Sequence, residues 1–457
     1  MTAGERLKTE DRRLKTAREL TAKSAKNTKR RTGSGGHRDL SVPIGDIAEV
    51  FDGPHATPTK TETGPYFLSI SSLDKGRLDL SKSAHLNEKD FVKWTKRVTP
   101  ETGDLLFSYE TRLGEAALMP EGIKACLGRR MGLLRPREDK VIPKYLLYAY
   151  LSPHFQQTII SNTITGATVD RLAISEFPNF QIRLPPLDEQ QRIASLLSAL
   201  DAKIELNNRI NAELEAMAKT LYDYWFVQFD FPFDFAKGKP APNGRPYKTS
   251  GGKMVYNPTL KRKIPAGWKV TTVGETFRTT LGGTPSRNKP SYWEPQQICW
   301  LNSEDKGTLF VVNADEYISK EGLKNSAAKL LSAGTVILSI VRHLRGSILG
   351  IEAATNQSVV GIEETTNISS SYIYPLILRE IPRYMTQRTG AQQPHINKEA
   401  VDETIIVLPD ETTLQLYQTL AGPLFNTIKT NSLQTQQLAE LRDWLLPMLM
   451  NGQVQVA

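Results

Sequence analysis

The chain carries a long internal repeat, and that repeat constrains its fold more than any local pattern. Leu184-Pro185-Pro186-Leu187-Asp188-Glu189 opens a long segment with periodic apolar residues, and Leu408-Pro409-Asp410-Glu411 opens another. The apolar positions recur in step. Ile193, Leu196, Leu200, Ile204, Leu214, Met217 and Leu221 correspond to Tyr417, Leu420, Leu424, Ile428, Leu438, Leu441 and Leu445. A polar interruption falls at the same place in both copies, at Asn207 and Asn431. Such a chain is built as two globular segments, each followed by a long helix.

The spacing of three and four residues predicts a helix from about Asp188 to Phe226, with Pro185 and Pro186 before it and two carboxylates in its first turn. Roughly 40 residues of helix span ~60 Å, and a seam of that length needs a partner helix. The second copy, from about Asp410 to Leu446 and ending near Pro447 and Gly452, is the obvious one. Asn207 and Asn431, if buried, would then pin the register at some cost in stability; the alternative is a local break in the seam with both amides wetted.

Before the first helix, the runs Tyr66–Ile70 and Asp104–Tyr109 read as strands, Pro143–Ile164 as one helix stopped at Gly166, and Phe180–Leu184 as an exit strand. Residues 230–263 are rich in Pro, Gly and Lys without a period and read as a linker. The second globular segment matches the first piecewise. Gly103-Asp104-Leu105-Leu106-Phe107-Ser108 aligns with Gly334-Thr335-Val336-Ile337-Leu338-Ser339, and Thr165-Gly166-Ala167 with Thr389-Gly390-Ala391. Between these anchors the two segments diverge.

Charge is unevenly placed. The chain of 457 residues has a net charge of +9, yet residues 1–38 hold twelve Lys/Arg against four Asp/Glu, so the remainder is almost neutral. The tail reads as a basic, disordered extension able to hold phosphates non-specifically, or simply as a solvated one. It has no apolar core of a secretory signal. The longest apolar run, around Thr335–Val341, is far too short to cross a bilayer. Two cysteines and no metal-ligand spacing fit a reducing cytoplasm.

Catalytic patterns are missing. There is no Gly-x-x-x-x-Gly-Lys-Ser/Thr phosphate loop. There is no Asn/Asp-Pro-Pro-aromatic element either, Tyr256-Asn257-Pro258-Thr259 being the nearest string. The six histidines form no cluster, and Glu121-x-x-Lys124 reads as a solvated turn. The chain is expected to be non-catalytic by itself and to hold no metal.

Several strings together resemble the specificity (S) subunit of type I restriction-modification enzymes. They are Leu184–Ile193, Phe229–Tyr247, Ser250-Gly251-Gly252, Ile264-Pro265-Ala266-Gly267-Trp268 and Gly282-Gly283-Thr284-Pro285-Ser286. The resemblance covers about 40–457. It implies a mixed α/β (α+β) protein with two target recognition domains, 39–185 and 264–408. Each is followed by a conserved long helix, at 186–229 and 409–457, and the helices pack as an antiparallel coiled coil with pseudo-twofold symmetry, joined through the linker.

The implied function is to bind a bipartite, asymmetric double-stranded DNA target. Two modification (methyltransferase) subunits, and ATP-dependent restriction subunits, are the implied partners. S-adenosylmethionine, ATP and magnesium would belong to those partners, with no cofactor in this chain. Two other readings stay open: the recognition part of a fused restriction-methylation enzyme, and a coiled-coil adaptor that binds proteins. The first domain departs from the family pattern. It has Leu40-Ser41-Val42-Pro43-Ile44 in place of Ile-Pro-x-Gly-Trp, and His55-Ala56-Thr57-Pro58-Thr59 in place of the Gly-Thr-Pro-Ser turn.

By that resemblance the loop Thr284-Pro285-Ser286-Arg287 is a DNA-backbone contact, with Thr57, Thr59 and Lys60 as its first-domain equivalents. A plain structural turn is the alternative. Arg342, His343 and Arg345 follow a predicted strand, with Arg112 in the similar place earlier, and arginine there is suited to bidentate binding of guanine. A surface arginine paired with a nearby acid is the competing reading. Lys93, Lys96 and Arg97 flank Trp94, a mix able to stack and to hold phosphate or simply to form an exposed edge. The helix-packing set is Ile193, Leu200, Ile204, Asn207, Leu214, Leu424, Ile428, Asn431, Leu438 and Leu441. The helices are also the expected dock for modification subunits.

Overall fold

The structure is a computed structural model that describes residues 40–54, 56–166, 169–303, 308–387 and 395–456. The basic tail, His55 of the first turn, and the Ala167 and Thr389-Gly390-Ala391 parts of the repeat lie outside the described residues. The chain divides into two compact units. One runs to Ala194 and takes back Met450 and the residues after it; the other is Ser195–Leu449.

In the first unit the entry strand Ser41–Pro43 pairs antiparallel with the exit strand Gln181–Arg183. The central sheet has the order Ala48–Asp52, Met131–Pro136, Leu105–Ser108, Ala116–Leu118. Leu105–Ser108 is buried at every position, as expected of a strand covered on both faces. A smaller sheet orders Ala84–His85, Thr61–Phe67 and Ala125–Cys126, the last two parallel. The predicted helix over 143–164 is two helices, Pro143–Leu151 and Pro153–Ser161. Pro153 forces Ser152 into extended backbone, and the Ser152 hydroxyl then accepts the Phe155 amide as an N-cap. The second helix closes at Asn162, ahead of Gly166.

The second unit repeats this wiring. Lys269–Thr272 pairs antiparallel with Ile405–Leu408. The central sheet runs Thr279–Leu281, Val359–Ile362, Val336–Ser339, Arg345–Leu349, and adds Phe310–Val311 at its edge. The smaller sheet again contains a parallel pair, Ile298–Leu301 with Ala353–Thr355. The duplication is therefore one of strand order and direction, which survives the divergence of the side chains.

The first long helix is Leu187–Tyr222, 36 residues, and continues through a π turn, Asp223–Val227. The second is Glu411–Met450, 40 residues. It passes through Pro423 and Pro447 and ends three residues beyond the latter, with Gly452 following at φ +68°. Within the second unit the helices run antiparallel. Arg442 bonds Asp201, Gln434 and Thr435 accept from Asn207, and Asn431 and Ser432 meet Asn211. The partner number falls as the first-helix number rises. The Asn207–Thr435 and Asn211–Asn431 pairs exchange under the repeat, which is the expected pseudo-twofold.

The packed seam differs from the predicted one in places. Ile193, Ile204 and Ile428 are buried, while Leu200, Leu214, Leu424 and Leu438 are half-buried. Leu441 is 42% exposed, so it is no packing residue here, and Met217 at the equivalent position is exposed too. The true seam follows Leu197, Ile204, Asn207, Asn211 and Ala218. Asn211 hid it, because a polar residue at a buried position breaks an apolar count. Asn207 is fully buried, but Asn431 is only half-buried. The Asn207 amide donates to Gln434 and Thr435 while its Oδ1 has no protein partner. Asn207→Leu is therefore expected to raise the thermal midpoint, by about 1 kcal/mol of stability. A lowered midpoint would show that the two donated bonds outweigh the orphaned carbonyl.

The predicted linker is ordered. Pro232–Asp234 forms the middle of a three-stranded sheet with Lys239–Pro240 and Arg245–Pro246, and Met254–Asn257 pairs with Arg262–Pro265. Aromatic stacking supplies the core that composition concealed. Phe231 lies 4.6 Å from Tyr247 and 5.3 Å from Trp268, nearly parallel to both. Asp230 accepts the Thr249 amide and hydroxyl, each at 2.7 Å.

Candidate nucleic-acid interface

Sheet register brings three loops of each domain to one end of its central sheet. In the first domain Asp52 lies opposite Gly132, and Ser108 opposite Met131. The segments 53–60, 109–115 and 127–130 therefore leave the same edge. In the second, Leu281 lies opposite Val360, and Ser339 opposite both Val359 and Arg345. There the segments 282–289, 340–344 and 356–358 share an edge. Nearly all the predicted interface residues fall in these loops.

The first loop has the same form in both domains. Pro58 and Pro285 are buried, while their neighbours Thr57, Thr59, Thr284 and Ser286 are exposed. The proline anchors the turn and the hydroxyls stand outside it. Lys60 is exposed beside them. Thr284 donates to Gln357, in the third loop of its own domain.

Arg287 is not a free cation. It makes a bidentate pair with Glu316, at 2.6 and 2.9 Å, and its guanidinium lies 3.7 Å from the Trp293 ring centre and 5.2 Å from that of Trp300. The Glu316 hydrogen bond raises the Arg287 pKa, and Arg287 holds the Glu316 carboxyl below its usual range. This pair braces the loop.

The second loop is a shared turn. Ser108 Oγ donates to Glu110 O, and Ser339 Oγ to Val341 O. The residue that follows has positive φ in each domain, Thr111 at 74° and Arg342 at 57°. The Tyr109 and Ile340 carbonyls both accept from an incoming segment, at Leu172 and Ile396. Structurally, then, Arg342 corresponds to Thr111 and His343 to Arg112, the pairing that the alignment of Ser108 with Ser339 implies. Arg112 turns inward, donating to Ile70 O at 3.0 Å and meeting Glu115 at 3.4 Å. His343 and Arg345 are exposed, and Arg345 opens the strand opposite Ser339.

Two cations of this edge escaped the sequence reading, Arg129 and Arg130. Arg130 has φ 71° and lies 3.1 Å from Glu110, and its carbonyl accepts the Tyr109 amide. Arg129 beside it is exposed. The signal was Gly128: a Cβ there would sit 1.7 Å from Leu68 O, so only glycine permits this turn. Lys93, Trp94, Lys96 and Arg97 line a cavity against Asp52 and Pro54, beside the first loop.

Among the described residues no group of His, Cys, Asp and Glu is placed to hold a metal ion, and no helix is long and apolar enough to cross a membrane. Burial pushes the Cys126 thiol up to about 12, which makes it inert at neutral pH.

Comparison with known proteins agrees with this architecture. The model for the type I restriction modification DNA specificity domain matches twice, over residues 41–216 and 265–442. The MjaIX specificity subunit of Methanocaldococcus jannaschii is 25% identical over 377 residues, 81% of this chain and 82% of that protein. The HindI specificity subunit of Haemophilus influenzae is 22% identical over 419 residues, covering 80% and 90%. The solved S subunit from M. genitalium shares the fold, with a TM-score of 0.54 at 14% identity, over 91% of this chain and 98% of that one. With both halves matched by one family model, on a duplicated sheet wiring and a paired helix frame, the chain belongs to the type I restriction-modification specificity subunits.

Proposed function

We propose that this subunit reads a bipartite, asymmetric double-stranded DNA target, one half-site per domain. The carrying observation is that one strand wiring, built twice, ends in two loop edges of unlike chemistry. In the first domain the edge presents Thr57, Thr59, Lys60 and Arg129; in the second it presents Thr284, Ser286, His343 and Arg345. Hydroxyls and lysines suit backbone contact, whereas arginine and histidine at a strand end suit base edges in the major groove.

The helix pair is the proposed dock for two modification subunits. Met217 and Leu441 are equivalent in the repeat and both exposed, at 57% and 42%. An apolar side chain presented twice in equivalent settings fits two copies of one partner. Adenine-N6 methylation with S-adenosylmethionine, and ATP- and magnesium-dependent restriction, would be performed by such partners, with this chain supplying recognition. Two free cysteines fit an assembly working in the reducing cytoplasm.

The test is methylation mapping of a host that expresses this chain with its modification subunit. The expected result is adenine methylation in a split motif with two different halves. Methylation confined to a continuous palindrome would contradict the reading, since two unlike edges do not read a symmetric site.

A further inference from the structure

We propose that the first domain, and not the second, has a phosphate clamp: the cavity formed by Asp52, Pro54, Lys93, Trp94, Lys96 and Arg97 seats a backbone phosphate of the bound DNA. The inference rests on the DNA-reading function proposed above and adds residues to it.

The helix Glu88–Trp94 is capped by Asn87 and ends at Thr95, whose hydroxyl turns back to Phe91 O. Ending there, it delivers Lys93, Trp94, Lys96 and Arg97 within one turn to the side of a cavity of about 310 Å³. The opposite wall is Asp52 and Pro54, the run-in to the Thr57–Lys60 loop. A phosphate seated here would lie next to the loop already assigned to the backbone.

Charge favours an anion. Three cations face one carboxylate, in a chain that is almost neutral outside its tail. The Lys93 ammonium sits 5.0 Å from the Trp94 ring centre, held by the ring face and bonded to no acid among the described residues. Arg97 pairs with Asp52, but its side chain is 66% exposed. An ion pair so exposed stabilises by no more than about 1 kcal/mol. A phosphate offers the same guanidinium two parallel charge-assisted bonds in place of the single one to Asp52, so the exposed pair is a weak competitor for Arg97. The rim cations are all donors, which matches phosphate oxygens. Guanine too presents acceptors to such donors, so it is the place of the cavity, beside the run-in to the Thr57–Lys60 loop, that assigns it to the backbone.

The second domain has filled the corresponding place. Ala327 and Ala328 stand where the first domain has Lys96 and Arg97, counting back from Gly334 and Gly103. Gly283 approaches Ala327 so closely that a Cβ would lie 2.4 Å from its carbonyl carbon. The nearby guanidinium, Arg287, is already committed to Glu316. The clamp is a property of one domain, so the first half-site should carry more of the salt dependence.

The experiment uses the full chain assembled with its modification subunits and two fluorescent duplexes, one with the mapped target and one of random sequence. Lys96→Gln/Arg97→Gln is expected to weaken both duplexes by the same factor, about tenfold or more. It should also flatten the dependence of log K on log salt by about 1–2. Asp52→Asn, which frees Arg97, is expected to tighten binding of both. Unchanged affinity and slope in the double variant, or a loss confined to the target duplex, would overturn the clamp. A wild-type complex with no preference for the target would instead refute the recognition reading, while the slope on random duplex still tests the clamp.

Discussion

Replacing Trp225 by alanine is expected to destabilise the Ser195–Leu449 unit by about 3–5 kcal/mol. Trp225 is almost fully buried, in the π turn that ends the first long helix. Its ring lies 5.6 Å from Tyr417 of the second long helix and 6.2 Å from Phe226, which in turn packs on Tyr372 of the domain and Trp268 of its entry turn. Four elements meet at this node, and alanine leaves a cavity that no single one can close. The desolvation that drives the node also pushes the Tyr222, Tyr372 and Tyr417 hydroxyls far above their ordinary pKa, so all stay neutral. Hydrogen exchange read by peptide is the decisive measurement. Protection should fall across both long helices and Tyr372, while the Leu105–Ser108 strand of the other unit keeps its rate. Equal loosening of both units, or a loss below about 1 kcal/mol, would show that the node does not organise the second unit.

The paired helices were legible because apolar residues at spacings of three and four admit only one periodic structure. The central strands were legible by a different signal, short continuous apolar runs bounded by turn residues, as at Leu105–Ser108 and Val336–Ser339. Three things were not. The aromatic sheet at 230–263 stands on side chains such as Phe231, Tyr247 and Trp268 that contact one another across long sequence separations, and no local period reports that. The seam at Asn211 was hidden because its amide is satisfied by Asn431 and Ser432 on the other helix. At the candidate edge, residue type pointed to loops that share one end of each central sheet, but not to orientation. For Arg112 and Arg287 residue type leaves a DNA contact and a held side chain equally open, and Ile70 O, Glu115 and Glu316 hold them. Which cation in a loop is free depends on its neighbours in three dimensions, and in a divergent repeat those neighbours differ between the copies.

Gly282→Ala should abolish methylation of the target while leaving the chain folded. Gly282 donates its amide to Val359 O, and Gly283 donates to Thr355 O, which pins the start of the Thr284–Arg287 loop against the end of the Ala353–Thr355 strand. A Cβ on Gly282 would lie 2.3 Å from the carbonyl oxygens of both Thr355 and Asn356. The Thr355 carbonyl is anchored by the sheet and cannot retreat, so the loop must move. Its φ is not in the left-handed region, so the cost is steric, of order 1–3 kcal/mol. That is too small to unfold a domain with this core, yet it displaces Thr284 and Ser286 from the edge they share with His343 and Arg345. On the proposed reading a split target is methylated only when both halves are read, so losing one edge removes the whole activity. Gly422→Ala is the matched control: that glycine lies inside the second long helix, nothing stands within 4 Å of the added Cβ, and helix propensity favours alanine there by about 0.5–1 kcal/mol. The control should methylate as the parent does and melt slightly higher. Full methylation by Gly282→Ala would sink the assignment of this loop to DNA.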